Sequence, residues 1–250
     1  MPRFAHIVIV VEENRADSQV LGNRDAPYIN ALGRDGAILA DSYGIRHPSQ
    51  PNYVALFSGS TKGLTDDSCP HSYGGKNLGS QLLASGLTFG GYSESLPSRG
   101  YLGCSAGPYA RKHNPWADFP DLPASVNRPL TSLAANWSAL PTVAFVIPNL
   151  NHDMHDGSVR AGDTWLRDHL GGYADWARTH DSLLIVTWDE DDFTARNRIP
   201  GVMAGAHVKP GRYSRRVDHY TMLRTVEAAY GLEPLGAAAQ RAPITSVWTP

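Results

Sequence analysis

His6-Ile7-Val8-Ile9-Val10-Val11-Glu12-Glu13-Asn14-Arg15 opens the chain with an apolar strand that ends on two acids and an amide. The same design returns far downstream, at Ser182-Leu183-Leu184-Ile185-Val186-Thr187-Trp188-Asp189-Glu190-Asp191-Asp192. Short continuous apolar runs of this kind suit strands buried on both faces, as in parallel sheets. In open α/β sheets ligands bind beyond the carboxyl ends of the strands. Carboxylate and amide oxygens gathered there suit a hard divalent cation.

Outward from these two runs, strands and helices alternate, which predicts an α/β chain with a mostly parallel central sheet. Strands are expected at 4–11, 36–43, 87–92, 142–147, 182–189 and 201–208. Helices are expected at 27–33, 50–57, 77–85, 162–180 and 218–231, two of them ended by glycine. Asp163 reads as a cap of the long helix. From Ser93 to Ser132 periodicity is lost, and the segment reads as long surface loops whose aromatic residues argue against disorder. No repeat or linker interrupts the chain, so residues 1–250 are expected to form one domain.

With 250 residues, 42% hydrophobic and 18% charged, the chain can bury a sizeable core. A net charge of -2 leaves no basic footprint, which argues against nucleic acid as a partner. No apolar run approaches a membrane span. Nor does the N-terminus carry a signal-type apolar region. The expected location is therefore cytoplasmic, or secreted or periplasmic if a leader has been removed. Cys69 and Cys104 are the two cysteines. A bridge between them would close a loop of about 36 residues and contribute roughly 3–4 kcal/mol, and two free thiols are the alternative.

Five motifs carry chemistry. Glu13-Asn14-Arg15 offers a carboxylate and an amide oxygen to a cation, and the Asn14 amide can also donate to a phosphoryl oxygen. His47-Pro48-Ser49-Gln50-Pro51-Asn52-Tyr53 puts Ser49 at a helix N-terminus, where free N–H groups favour anions. A hydroxyl there beside a cation can ionise and attack phosphorus, although a serine N-cap explains the same pattern. His113-Asn114-Pro115-Trp116 puts a histidine in the irregular region, able to protonate a leaving group. Asn151-His152-Asp153-Met154-His155-Asp156-Gly157 follows a strand with two histidines and two aspartates. Asp189-Glu190-Asp191-Asp192 sets four acids in a row, which repel one another unless solvated or neutralised. Of these, Asp191 and Asp192 read as solvated. His207 and His219 read as structural. Gly91-Tyr92-Ser93-Glu94-Ser95 nearly matches the serine-hydrolase elbow but lacks its last glycine.

Taken in order, Glu13-Asn14-Arg15, Pro48-Ser49-Gln50-Pro51-Asn52, Lys112-His113-Asn114-Pro115, Asn151-His152-Asp153-Met154-His155-Asp156, Trp188-Asp189-Glu190 and His219-Tyr220-Thr221-Met222-Leu223-Arg224-Thr225 resemble the phosphoesterase family that unites bacterial phospholipase C enzymes and acid phosphatases, within the alkaline phosphatase superfamily. The resemblance spans roughly residues 4 to 232. It implies a three-layer α/β/α sandwich of the alkaline phosphatase type. It also implies one divalent metal held by Glu13, Asn14, Ser49, Asp189 and Glu190. Oxygen ligands favour Mg, Ca or Mn, and the superfamily keeps Zn in view. Ser49 would be the nucleophile. His113 and His155 would hold phosphoryl oxygens or assist the leaving group, with Asp156 orienting His155. His152 is a weaker substrate-binding candidate, because the family often has Asn at that position.

Asp191-Asp192-Phe193 stands where the phospholipase C members commonly have His-Gly-Gly. That departure, with the short chain, points to a phosphomonoesterase acting on a small phosphate ester or a phospholipid headgroup. A phospholipase C-type phosphodiesterase is the first alternative, and a non-catalytic phosphate-binding protein is the second.

Overall fold

The computed structural model describes residues 1–249. Eight strands form its main sheet: β1 (His6–Glu12), β2 (Ala37–Leu39), β3 (Phe89–Ser93), β4 (Asn127–Pro129), β5 (Val143–Ile147), β6 (Ser182–Trp188), β7 (Gly201–Gly205) and β8 (Gly211–Tyr213). Their order across the sheet is β8-β2-β7-β6-β1-β5-β3-β4. β1 lies at the centre, parallel to β5 on one side and to β6 on the other. β7 runs antiparallel to both of its neighbours, so the sheet is mostly parallel.

Five helices of seven residues or more cover the two faces: α1 (Pro27–Asp35), α2 (Gln50–Ser58), α3 (Leu78–Ala84), α4 (Val159–Ala177) and α5 (His219–Tyr230). Alternation along β1 divides the core between them. Ile7, Ile9 and Val11 pack with Tyr53, Phe57 and Leu223 from α2 and α5. Val8 and Val10 pack with Ile29, Leu166 and Leu170 from α1 and α4. This is the expected three-layer arrangement. Among the described residues no helix is long and apolar enough to cross a membrane.

Several local expectations are corrected. The run 36–43 is not one strand. It splits into β2 and a short Ser42–Tyr43 strand that joins a separate three-stranded sheet. The long helix starts three residues early, at Val159, and the Ser158 hydroxyl caps it by accepting from Ala161 N. Asp163 therefore does not cap α4. Its carboxylate reaches across to the N-terminus of α1 and accepts from Tyr28 N at 3.2 Å and Ile29 N at 2.8 Å. α1 needs such a partner, because Ala26 at its N-cap position has no side-chain acceptor.

The irregular region is also more ordered than loops alone. Cys69 and Cys104 are bridged. Trp116 and Phe119 sit fully buried in an aromatic cluster with Phe57, Phe89 and Phe145. Gly91 in β3 makes room for that cluster, since a Cβ there would lie 2.0 Å from the Trp116 ring.

Candidate active site

The carboxyl ends of β1 and β6 meet as neighbouring parallel strands, with Glu12 in register with Trp188. The residues just beyond them, Glu13, Asp189 and Glu190, are all buried. Strand alternation sends Glu13 to the α2 face and Glu12 to the opposite one. Glu12 is buried with neither carboxylate oxygen hydrogen-bonded, and burial holds its carboxyl well above the ordinary range.

Ser49 stands at the start of α2 and makes no capping hydrogen bond. Its hydroxyl lies instead between two carboxylates, 3.0 Å from Glu13 Oε2 and 3.1 Å from Glu190 Oε1. One O–H can donate to only one of them at a time. The local fold fixes this position. Asn52 Oδ1 accepts from Ile45 N and Arg46 N, while its amide donates back to Arg46 O, which folds the incoming segment against the first turn of α2. The helix N-terminus is less open to anions than its sequence predicts, because Gln50 N already donates to Asp67 Oδ1 at 2.8 Å. Lys112 pairs with the other oxygen of Asp67 at 2.9 Å.

His113 is not a surface loop histidine. It is 2% exposed, with Nε2 2.9 Å from Glu13 Oε1 and Nδ1 3.3 Å from Asp153 Oδ2. Tyr53, one helical turn after Ser49, stacks on the His113 ring and donates to Glu13 Oε1 at 2.7 Å. Burial works against the charged imidazole, but Glu13 and Asp153 hold its pKa up at about 9. Burial also works against a charged Glu13, and His113, Lys112 and Tyr53 bring its pKa down to about 2. Glu13 and His113 thus form a buried ion pair.

The second strand end behaves differently. Burial, with Glu13 and Glu190 nearby, pushes Asp189 well above the carboxylate range. Burial and Glu13 push Glu190 up to about 8. Asp189 Oδ1 accepts from Asn14 N at 3.3 Å, while Asp189 Oδ2 and Asn14 Oδ1 are buried without a hydrogen bond. These orphaned oxygens, with Glu13, Glu190 and Ser49 Oγ, make an all-oxygen donor set with surplus negative charge. A hard divalent cation fits that chemistry. Among the described residues, however, no three His, Cys, Asp or Glu side chains already stand in a metal-holding arrangement. Glu13 is engaged by His113, and Glu190 Oε2 lies 2.6 Å from His47 Nδ1.

The remaining candidates divide. His155 lies beside His113, with ring centroids 6.3 Å apart, and its Nδ1 is 2.7 Å from the exposed Asp156 carboxylate. His152 turns away, with Nδ1 3.0 Å from both Glu94 oxygens, and makes no hydrogen bond to the cluster among the described residues. Asp192 is partly exposed, but Asp191 is fully buried. The expectation that Asp191 is solvated fails because its carboxylate accepts from the backbone of its own loop, at Phe193 N, Ala195 N and Asn197 N. His219 is buried with Nε2 2.6 Å from Asp189 O, a supporting position. His207 lies out by Asp181. Ser93 Oγ is buried without a hydrogen bond, so no base addresses it and the elbow reading loses its geometry.

Four residues went unassigned by the sequence: Tyr53, Asp153, His47 and Lys112. A signal existed for all four, since each lies inside a quoted motif. Tyr53 follows Ser49 by four residues on one helix face. Asp153 lies inside the quoted histidine motif.

The Phosphoesterase family matches residues 19–233. A phosphatidylinositol-3-phosphatase from Mycobacterium tuberculosis is 52% identical over 251 residues, covering 99% of this chain and 84% of that protein. An acid phosphatase from Aspergillus fumigatus is 28% identical over 82% of this chain, which spans only 51% of that fungal protein. Among solved structures, a protein in the alkaline phosphatase superfamily from Vibrio parahaemolyticus covers 98% of this chain with a TM-score of 0.65 at 14% identity, over 71% of its own length. That likeness shows the sandwich fold alone. This chain belongs to the Phosphoesterase family and is a phosphoric ester hydrolase.

Proposed function

We propose that the chain is a metal-dependent phosphomonoesterase of the acid-phosphatase kind that works through a phosphoserine on Ser49. One observation carries this reading. A serine at the first turn of a helix leaves its capping role and points its oxygen between carboxylates delivered by two different strands. The names of the mycobacterial and fungal relatives support a phosphomonoester as substrate.

Glu13, Asn14, Asp189, Glu190 and Ser49 would hold the cation. When bound, it would lower the Ser49 pKa and neutralise phosphoryl charge. The Ser49 hydroxyl proton would pass to Glu190, 3.1 Å from Oγ and the more basic of the two carboxylates beside it, while Glu13 stays paired with His113. Ser49 Oγ then bonds to phosphorus as the ester P–O bond breaks in line with it. His113 contributes fixed positive charge next to the reacting centre, worth most where water is excluded. His155, partly exposed and paired with Asp156, would give the departing alcohol its proton. Water then attacks the phosphoserine and releases phosphate.

Exhaustive chelation followed by add-back of Mg, Ca, Mn or Zn tests the metal directly. Hydrolysis of p-nitrophenyl phosphate is expected to fall on the order of tenfold or more and to return with one of these ions. Undiminished turnover in protein shown to be metal-free would remove the cation from the mechanism.

A further inference from the structure

The loop after the acid pair is organised around a buried carboxylate. Asp191 Oδ1 accepts from Phe193 N at 2.9 Å, and Oδ2 accepts from Ala195 N at 2.7 Å and Asn197 N at 2.9 Å. The Asn197 side chain closes the loop by accepting from Asp191 N and donating to Arg46 O, while Gly44 N donates to Asn197 O. The loop is therefore tied to the segment that leads into Ser49.

This tying holds three non-glycine residues in the left-handed backbone region, with φ of 67° at Phe193, 56° at Arg196 and 61° at Asn197. Such backbone is unfavourable for Phe193 and Arg196, though asparagine adopts it readily, and it persists where surroundings over-determine it, commonly at ligand-contacting loops. The side chain it presents is Phe193, 73% exposed. One face of the ring stacks on His47, with centroids 3.8 Å apart and planes 21° from parallel. His47 Nδ1 lies 2.6 Å from Glu190 Oε2, and the other Glu190 oxygen lies 3.1 Å from Ser49 Oγ. A preorganised, water-exposed phenyl ring thus stands two side chains from the nucleophile, in a loop otherwise rich in polar residues.

We infer that Phe193 is a specificity-determining residue, whose free face receives the apolar part of the alcohol that the enzyme releases. The preferred esters are those of aryl or alkyl alcohols, over those of small hydrophilic ones. Stacking on one side fixes the ring at little further entropic cost on binding, and an aryl group adds an aromatic pair on the other. This inference rests on the phosphoric ester hydrolase reading, and the test separates the two.

The experiment compares kcat/KM for naphthyl phosphate and for glycerol phosphate in the wild type, Phe193→Ala and Phe193→Tyr. In Phe193→Ala the naphthyl-to-glycerol ratio is expected to fall about fivefold, the size of one aromatic pair, mainly through KM for the naphthyl ester. Phe193→Tyr is expected to keep the ratio. An unmoved ratio in Phe193→Ala, or equal losses on both esters, would overturn the inference and leave Phe193 as part of the loop's packing. A wild type that hydrolyses neither ester would overturn the hydrolase reading itself, and the inference with it.

Discussion

Ser49→Ala is expected to lose on the order of 10³-fold or more in kcat on any phosphomonoester, because the proposed covalent bond to phosphorus is made by the Ser49 oxygen. The loss should not come from unfolding. The Ser49 hydroxyl has one proton to share between Glu13 and Glu190, so its removal leaves one buried acceptor unpaired, at about 1–3 kcal/mol. Thermal melts and a steady-state assay on the same preparation separate the two effects. A variant that melts close to the wild type and turns over at a near-wild-type rate would remove Ser49 from the chemistry.

His113→Gln is expected to be the most destabilising single change at the site, at about 3–5 kcal/mol. The imidazole sits between two buried carboxylates, Glu13 and Asp153, and its loss leaves them facing each other without a counter-charge. The pH dependence carries a sign that can be checked in chelator-treated protein. His113 has its folded pKa raised from 6.5 to about 9, so its contribution is complete below pH 6.5 and is lost as pH rises through about 9. Glu13 is the mirror case, lowered from 4.5 to about 2, so its contribution is present above pH 4.5 and is lost as pH falls through about 2. Denaturant unfolding should show wild-type stability declining between pH 6.5 and 9, and His113→Gln declining less steeply, since only the part due to Glu190, raised to about 8, and Asp189 remains. Equal slopes in the two proteins would mean that the Glu13–His113 pair does not carry its charge in the folded state.

The strand ends were readable because burial on both faces of a parallel strand leaves a continuous apolar signature, and β1 and β6 display it without interruption. Ser49 was readable because Pro51 and the residues around it mark a helix start. What escaped has a common physical origin in long-range contacts. Asp163 caps a helix 134 residues away in sequence from its own position, and no local pattern records that. His113 is buried because Trp116 and Phe119, close to it in the chain, anchor their irregular segment in the aromatic cluster against the sheet. Composition alone made that segment a surface loop. The acidic run shows the same limit. Four consecutive acids predict solvation, yet Asp191 is stabilised by three backbone N–H groups of its own loop, a closure visible only in three dimensions.

The most direct measurement is an acid quench of the enzyme during turnover of a slow phosphomonoester, with the peptides then resolved by mass spectrometry. The expected result is phosphate covalently attached to Ser49 in the wild type and absent from Ser49→Ala. Unmodified Ser49 under saturating turnover, or phosphate trapped on a different residue, would contradict the assignment of Ser49 as nucleophile.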